Sequence, residues 1–257
     1  MVETFETIMY EKKGAIGIIT MHRPDRMNAC NTHMYKDMAV VLERIDADQD
    51  IRAVILTGSG EKAFSAGADI EELNFANLRE AREYIAIDAK TFRLLENIRQ
   101  PLIAAVNGLA IGYGCKVAII SDITIASEKA RFSLPGATFG AVHMIMLGRA
   151  IHILGQKRLA YMLLTGTMLD AVQAEKYGFV NMVVPPDQVM AEAEKVANRI
   201  ASFPQITVEV IRRMLHRGMD DDYRWEDLLS PPLLLREDVK EGRQAFLEKR
   251  KPVFTGK

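Results

Sequence analysis

Cysteine is scarce in this 257-residue chain, with Cys30 and Cys115 the only two. Neither has cysteine or histidine neighbours at metal-ligand spacing, so no metal site is expected. Two isolated thiols suit a reducing compartment, and a cytoplasmic location is expected. An excess of charge of one sign is also missing. The 33 Lys and Arg against 34 Asp and Glu leave a formal net charge of −1. That balance gives no support to nucleic-acid binding or to a broad anionic-membrane surface, both of which need a basic excess. No apolar run approaches the roughly 20 residues of a membrane span. The first ten residues carry Glu3 and Glu6 and no apolar stretch, so no secretory leader is expected there. Low-complexity linkers and tandem repeats are lacking. So are a phosphate-cradling Gly-x-x-x-x-Gly-Lys loop and a dinucleotide fingerprint after the first strand.

What is present is a regular alternation of elements. Residues 5–10 and 15–21 read as paired strands, with the turn at Lys12-Lys13-Gly14. A polar loop follows over 22–29. From Thr32, the positions Met34, Met38, Val41, Leu42 and Ile45 recur at helical spacing. The continuous run Ala53-Val54-Ile55-Leu56, ended by Gly58-Ser59-Gly60, reads as a strand buried on both faces. Residues 64–69 read as a glycine-containing turn and 78–98 as a helix. A second buried strand over 102–106 is broken by Asn107-Gly108, and Gly112-Tyr113-Gly114 opens a short apolar helix. Strands are expected at 122–126 and 131–133. A helical stretch is expected over 142–164, interrupted at Gly155, and a last strand over 179–184. Only helices follow: one to residue 202, one over 207–217, one near Trp225, and a charged one over 236–250. The fold class is therefore α/β, with a core over 1–186 and a helical region over 187–257.

Two stretches resemble the signature segments of the crotonase (enoyl-CoA hydratase/isomerase) superfamily. One is Lys62-Ala63-Phe64-Ser65-Ala66-Gly67-Ala68-Asp69-Ile70. The other is Pro101-Leu102-Ile103-Ala104-Ala105-Val106-Asn107-Gly108-Leu109-Ala110-Ile111-Gly112-Tyr113-Gly114-Cys115. Arg23-Pro24 with Asn28-Ala29, then Leu164-Thr165-Gly166, then Phe246-Leu247-Glu248-Lys249-Arg250-Lys251-Pro252 match in family order. The resemblance implies a spiral of ββα units, a C-terminal α-helical trimerisation region, and a homotrimer or dimer of trimers. It implies an acyl-CoA thioester substrate, with coenzyme A arriving as part of the substrate and no separate cofactor.

Thioester chemistry in this family passes through an enolate-like species with charge on the thioester oxygen. Backbone N–H groups held in place beforehand stabilise that charge preferentially. The resemblance puts these donors at Ala68 and Tyr113, the latter where a helix dipole begins. By the same resemblance Arg26, Met27 and Ala29 line the coenzyme A site, and Ala66, Asp69 and Ile70 contact adenine and pantetheine. Lys62 is a phosphate contact, and Phe246 and Lys249 reach a neighbouring subunit's nucleotide. Gly114, Lys116 and Gly136 fall in the acyl region.

A hydratase of this family uses two glutamates to activate water. Their positions are held here by Lys116 and Gly136. Glycine cannot move a proton, and lysine acts as a base only in surroundings that favour the neutral amine. His143, seven residues after Gly136, is the candidate substitute. The Tyr113 phenol is a second candidate, if it projects into the pocket. Lys116 is expected to bind a substrate carboxylate or to pair with an acid such as Asp122. Asp122 itself reads as a cap or turn residue, and Met168 as packing. Two alternatives to hydration or isomerisation stay open: decarboxylation of a malonyl-type thioester, which generates the enolate without a base, and acyl-CoA binding without catalysis.

Overall fold

The start of the chain is a short strand, β1 (Val2–Thr4), laid antiparallel on a hairpin of β2 (Ile8–Lys13) and β3 (Ile16–Met21). Gly14, at φ 61°, makes the tight turn, because glycine enters the left-handed region without steric cost. Lys13 thus stays in the strand, and the turn falls later than its composition suggested. The computed structural model of the chain describes residues 2–141, 147–216, 231–232 and 234–255.

A repeat then sets in. Each turn of it contributes a long strand, a short strand and a helix. The first comprises β4 (Ala53–Gly58), β5 (Ala63–Ser65) and α2 (Leu78–Asn97), after α1 (Thr32–Ala47). The second comprises β6 (Leu102–Val106), β7 (Leu109–Ile111) and α3 (Tyr113–Ile120). The third comprises β8 (Ile123–Ser127), β9 (Arg131–Ser133), α4 (Leu147–Leu154) and α5 (Gln156–Thr165). Next come β10 (Leu169–Asp170), α6 (Ala171–Tyr177) and β11 (Met182–Val184). The long strands join a seven-stranded sheet in the order β1-β2-β3-β4-β6-β8-β11, and the short ones a four-stranded sheet in the order β10-β9-β7-β5. β5, β7 and β10 escape a sequence reading because two or three residues show no alternation, while β9 falls where a strand was expected, at 131–133. The helix break at Gly155 (φ 74°) is where the pattern put it, while the last strand begins only at Met182.

The β4 run is buried on both faces, as its apolar continuity required. Val54 and Leu56 enter the main core with α1 and α2. Ala53 and Ile55 meet Val189, Ala193 and Ala197 of α7 (Val189–Ala201) on the other face. Among the described residues no helix is long and apolar enough to cross a membrane.

The following helix, α8 (Gln205–Leu215), is tied down by buried charge. Arg212 donates to Leu95 O and Glu96 O at 2.8 Å each and to Ile98 O, so a cation meets the spare carbonyls ending α2. Its Nε donates to Asp122 Oδ2 at 2.8 Å. Asp122 is therefore no simple turn residue. It also accepts from Leu102 N and from His216 Nε2 at 2.6 Å. Arg149 Nη1 donates to His216 Nδ1 at 2.9 Å. A guanidinium can only donate, so that contact selects the neutral, Nε2-protonated imidazole.

Burial pushes the His216 pKa down despite the Asp122 contact. Burial alone would raise the Asp122 carboxyl, but the His216 hydrogen bond and the Arg212 charge hold it well below the usual carboxylate range. The unfolded chain then takes up a proton at His216 below about pH 6.5, and the fold resists it. Stability is expected to fall from pH 7 to pH 5 through this residue. The Asp122 contribution is fully present above about pH 4 and is lost progressively as pH falls further. Thermal unfolding of His216→Asn should show a flatter slope over pH 5–7; an unchanged slope would clear His216 of the effect.

Candidate active site

Because β5, β7 and β9 run parallel in the small sheet, their C-terminal ends emerge side by side. The segments leaving them, 66–69, 112–113 and 133–138, share one edge of the molecule. Gly112 N–H donates to Ser133 O at 2.9 Å, joining two of these ends. Gly67 (φ 107°) and Gly112 (φ 48°) join the other two. A Cβ on Gly112 would come within 3.7 Å of Gly67 Cα, so the backbones nearly touch. Cys30 pairs alongside, donating N–H to Gly67 O at 2.7 Å and accepting from Asp69 N at 2.8 Å.

This pairing uses the groups on either side of the Ala68 amide and leaves that amide unused. The Tyr113 amide is the first of α3, behind Gly112 at the cap position. Neither the Ala68 nor the Tyr113 N–H donates to an acceptor among the described residues. Beside them opens a cavity of about 540 Å³, walled by Ala66, Ala68, Ile70, Gly112, Leu134, Gly136, Phe139, Leu163, Met168 and Phe246, with Lys116 among them. The wall is almost wholly apolar.

Lys116 is buried and pairs with Asp88, not with Asp122. Its Nζ lies 3.3 Å from Asp88 Oδ2 and 4.3 Å from the Phe92 ring centroid. Asp88 escaped the sequence reading. Its signal was a carboxylate on the apolar face of α2, in step with Ala81, Ile85, Phe92 and Leu95.

The Tyr113 phenol does not project into the cavity. It packs edge-on against Tyr35 and Phe92, with centroids 5.5 Å away in each case. Burial pushes its pKa well up, and its hydroxyl has no hydrogen-bond partner among the described residues. A phenol so placed takes no part in proton transfer near neutral pH. Gly114 also lies outside the wall. A Cβ there would stand 2.6 Å from Ser65 O, so this glycine packs α3 against β5. Asp69 is tied to Arg23 at 2.9 Å and accepts from Glu71 N, which leaves its carboxylate engaged. Met168, read as packing, lines the cavity and is half exposed.

Ala66, Ala68, Ile70, Lys116, Gly136 and Phe246 are thus brought together. Arg26, Met27 and Ala29 sit one layer out. Arg26 pairs with Glu71 at 2.8 Å, Ala66 N–H donates to Met27 O, and Ala29 O accepts from Arg23. Lys62 and Lys249 are exposed and outside the wall. Phe246 belongs to α9 (Glu237–Leu247) and closes the cavity of its own chain, 5.5 Å from Phe139. Gly242 permits this docking, since a Cβ there would strike Phe139 O at 2.7 Å. His143 and the segment near Trp225 lie outside the described residues.

Known proteins resemble the chain along its length. The family model for enoyl-CoA hydratase/isomerase matches residues 11–257. A probable enoyl-CoA hydratase of Rhizobium meliloti is 38% identical over 256 residues, covering 98% of each chain. A short-chain-enoyl-CoA hydratase of Clostridium acetobutylicum is 38% identical over 252 residues, covering 95% of each. Among solved structures, carnitinyl-CoA hydratase from Mycobacterium avium matches with a TM-score of 0.88 at 31% identity. That match covers 99% of this chain and all of the other.

Proposed function

This chain belongs to the enoyl-CoA hydratase/isomerase family, and from that premise we propose that it adds water across the α,β double bond of a short, uncharged enoyl-CoA. The crotonase fold and acyl-CoA processing of the hydratase/isomerase type come with the membership. The observation that carries the reading is the pair of unused amides, Ala68 in the wall of an apolar cavity and Tyr113 next to Gly112 of the same wall. Water adding at Cβ drives the π electrons onto the thioester oxygen. Two fixed N–H groups in a dry site stabilise that charge more than the ground-state carbonyl.

An uncharged acyl chain suits a wall whose single cation, among the described residues, is already neutralised by Asp88. The same balance speaks against a malonyl-type substrate, whose carboxylate would be buried without a counter-charge. Coenzyme A enters as part of the substrate. Its nucleotide end is proposed to run over Arg26, Met27, Ala29 and Lys62. Assembly as a homotrimer or dimer of trimers and a cytoplasmic location are proposed on the same family grounds.

Turnover of crotonyl-CoA in deuterated water, followed by mass spectrometry, checks the reading. The expected product is 3-hydroxybutyryl-CoA with deuterium at Cα. Absence of product from a protein that binds the thioester would refute hydration.

A further inference from the structure

Among the described residues lining the cavity, Lys116 is the one that can ionise. The two hydroxyls of the wall are engaged: Ser133 Oγ donates to Gly166 O at 3.0 Å and Thr138 Oγ1 to Pro135 O at 2.7 Å. Lys116 is fixed in place, at 1% side-chain exposure, by Asp88 and by the Phe92 ring. A buried ion pair is a poor way to gain stability, since apolar side chains of the same volume do as well or better. Moreover, Asp88 keeps its second oxygen, Oδ1, buried without a partner among the described residues. Buried polar atoms are rarely left so, and a catalytic role is one of the explanations for such an exception.

We propose that Lys116 exchanges protons with the substrate and that Asp88 is its positioning residue. The proposal rests on the hydration reading above. An ammonium carries three N–H bonds. One stays with Asp88. Another proton passes to Cα as the water oxygen bonds to Cβ, and the same nitrogen takes the proton that water loses. An oxygen lone pair forms the new C–O bond, the π pair shifts onto the thioester oxygen and returns to form the Cα–H bond, and the electrons of the broken N–H bond bind the proton from water. The thioester gains H at Cα and OH at Cβ, and Lys116 ends as it began. Both missing glutamates are replaced by one nitrogen, and Gly136 is left as open wall.

The test compares crotonyl-CoA affinity, turnover and melting in wild type, Lys116→Arg, and Lys116→Met combined with Asp88→Leu. Arginine keeps the charge and the Asp88 partner, but a guanidinium does not release its proton. The double variant replaces the pair with apolar side chains, a change that buried ion pairs tolerate. Both are expected to bind crotonyl-CoA as wild type does and to lose turnover by about 10²–10⁴-fold. Turnover within about tenfold of wild type in either folded variant overturns the assignment and leaves hydration standing. A double variant that fails to fold passes the decision to Lys116→Arg. A wild-type protein that binds crotonyl-CoA without forming product overturns both.

Discussion

Replacing Ala68 with proline is expected to lower crotonyl-CoA turnover by roughly 10²–10³-fold while leaving affinity nearly unchanged. Proline removes one N–H and fixes one dihedral. At this position the N–H bonds to nothing among the described residues. The neighbouring contacts run through Gly67 O and Asp69 N, neither of which is the group that proline removes. The loss therefore falls on the one donor that a developing oxyanion would use. A group that acts only when charge develops affects kcat and not ground-state binding. Stopped-flow or steady-state kinetics with a parallel binding measurement will read the split. A kcat equal to wild type would remove Ala68 from the site.

Asp88→Leu alone is expected to destabilise the fold by about 3–5 kcal/mol, because it strands the Lys116 ammonium in a low-dielectric interior. Both partners are almost fully buried, at 1% and 2% side-chain exposure, so solvent screens little of the loss. The Phe92 ring, 4.3 Å from Nζ, offsets a small part. Adding Lys116→Met removes the stranded charge, and most of the stability should return. Urea unfolding of the wild type, the two single variants and the double variant forms a closed cycle. A coupling under about 0.5 kcal/mol would show that the two side chains do not act as a pair. This experiment concerns stability, and its result is independent of whether the pair moves protons.

The long strands, the first two helices and the break at Gly155 were legible because each spans enough residues to show a period. The Ala53 to Leu56 run marked a strand covered on both faces, and both covers are present. Strands of two or three residues carry no period, so of the second sheet only Arg131–Ser133 was legible, although that sheet gathers the site. The helix Ala171–Tyr177 was missed despite its Asp170 capping box, being only two turns long.

The two glycine-bearing segments, their order and the presence of Lys116 and Gly136 were written in the chain, because residue identity and turns that need glycine are local properties. Partners are not. Lys116 meets Asp88 across 28 residues, and Arg212 meets Asp122 across 90. No local pattern distinguishes Asp88 from Asp122 as the nearer acid; only the packing of α2 against α3 does. The direction of the Tyr113 ring was likewise decided by space beside Tyr35 and Phe92, and Phe246 reached its own cavity because two glycines let α9 settle on the turn at 136–140. Sequence determined which groups are available; the tertiary fold decided which of them touch, because contact between distant residues depends on the packing of whole elements.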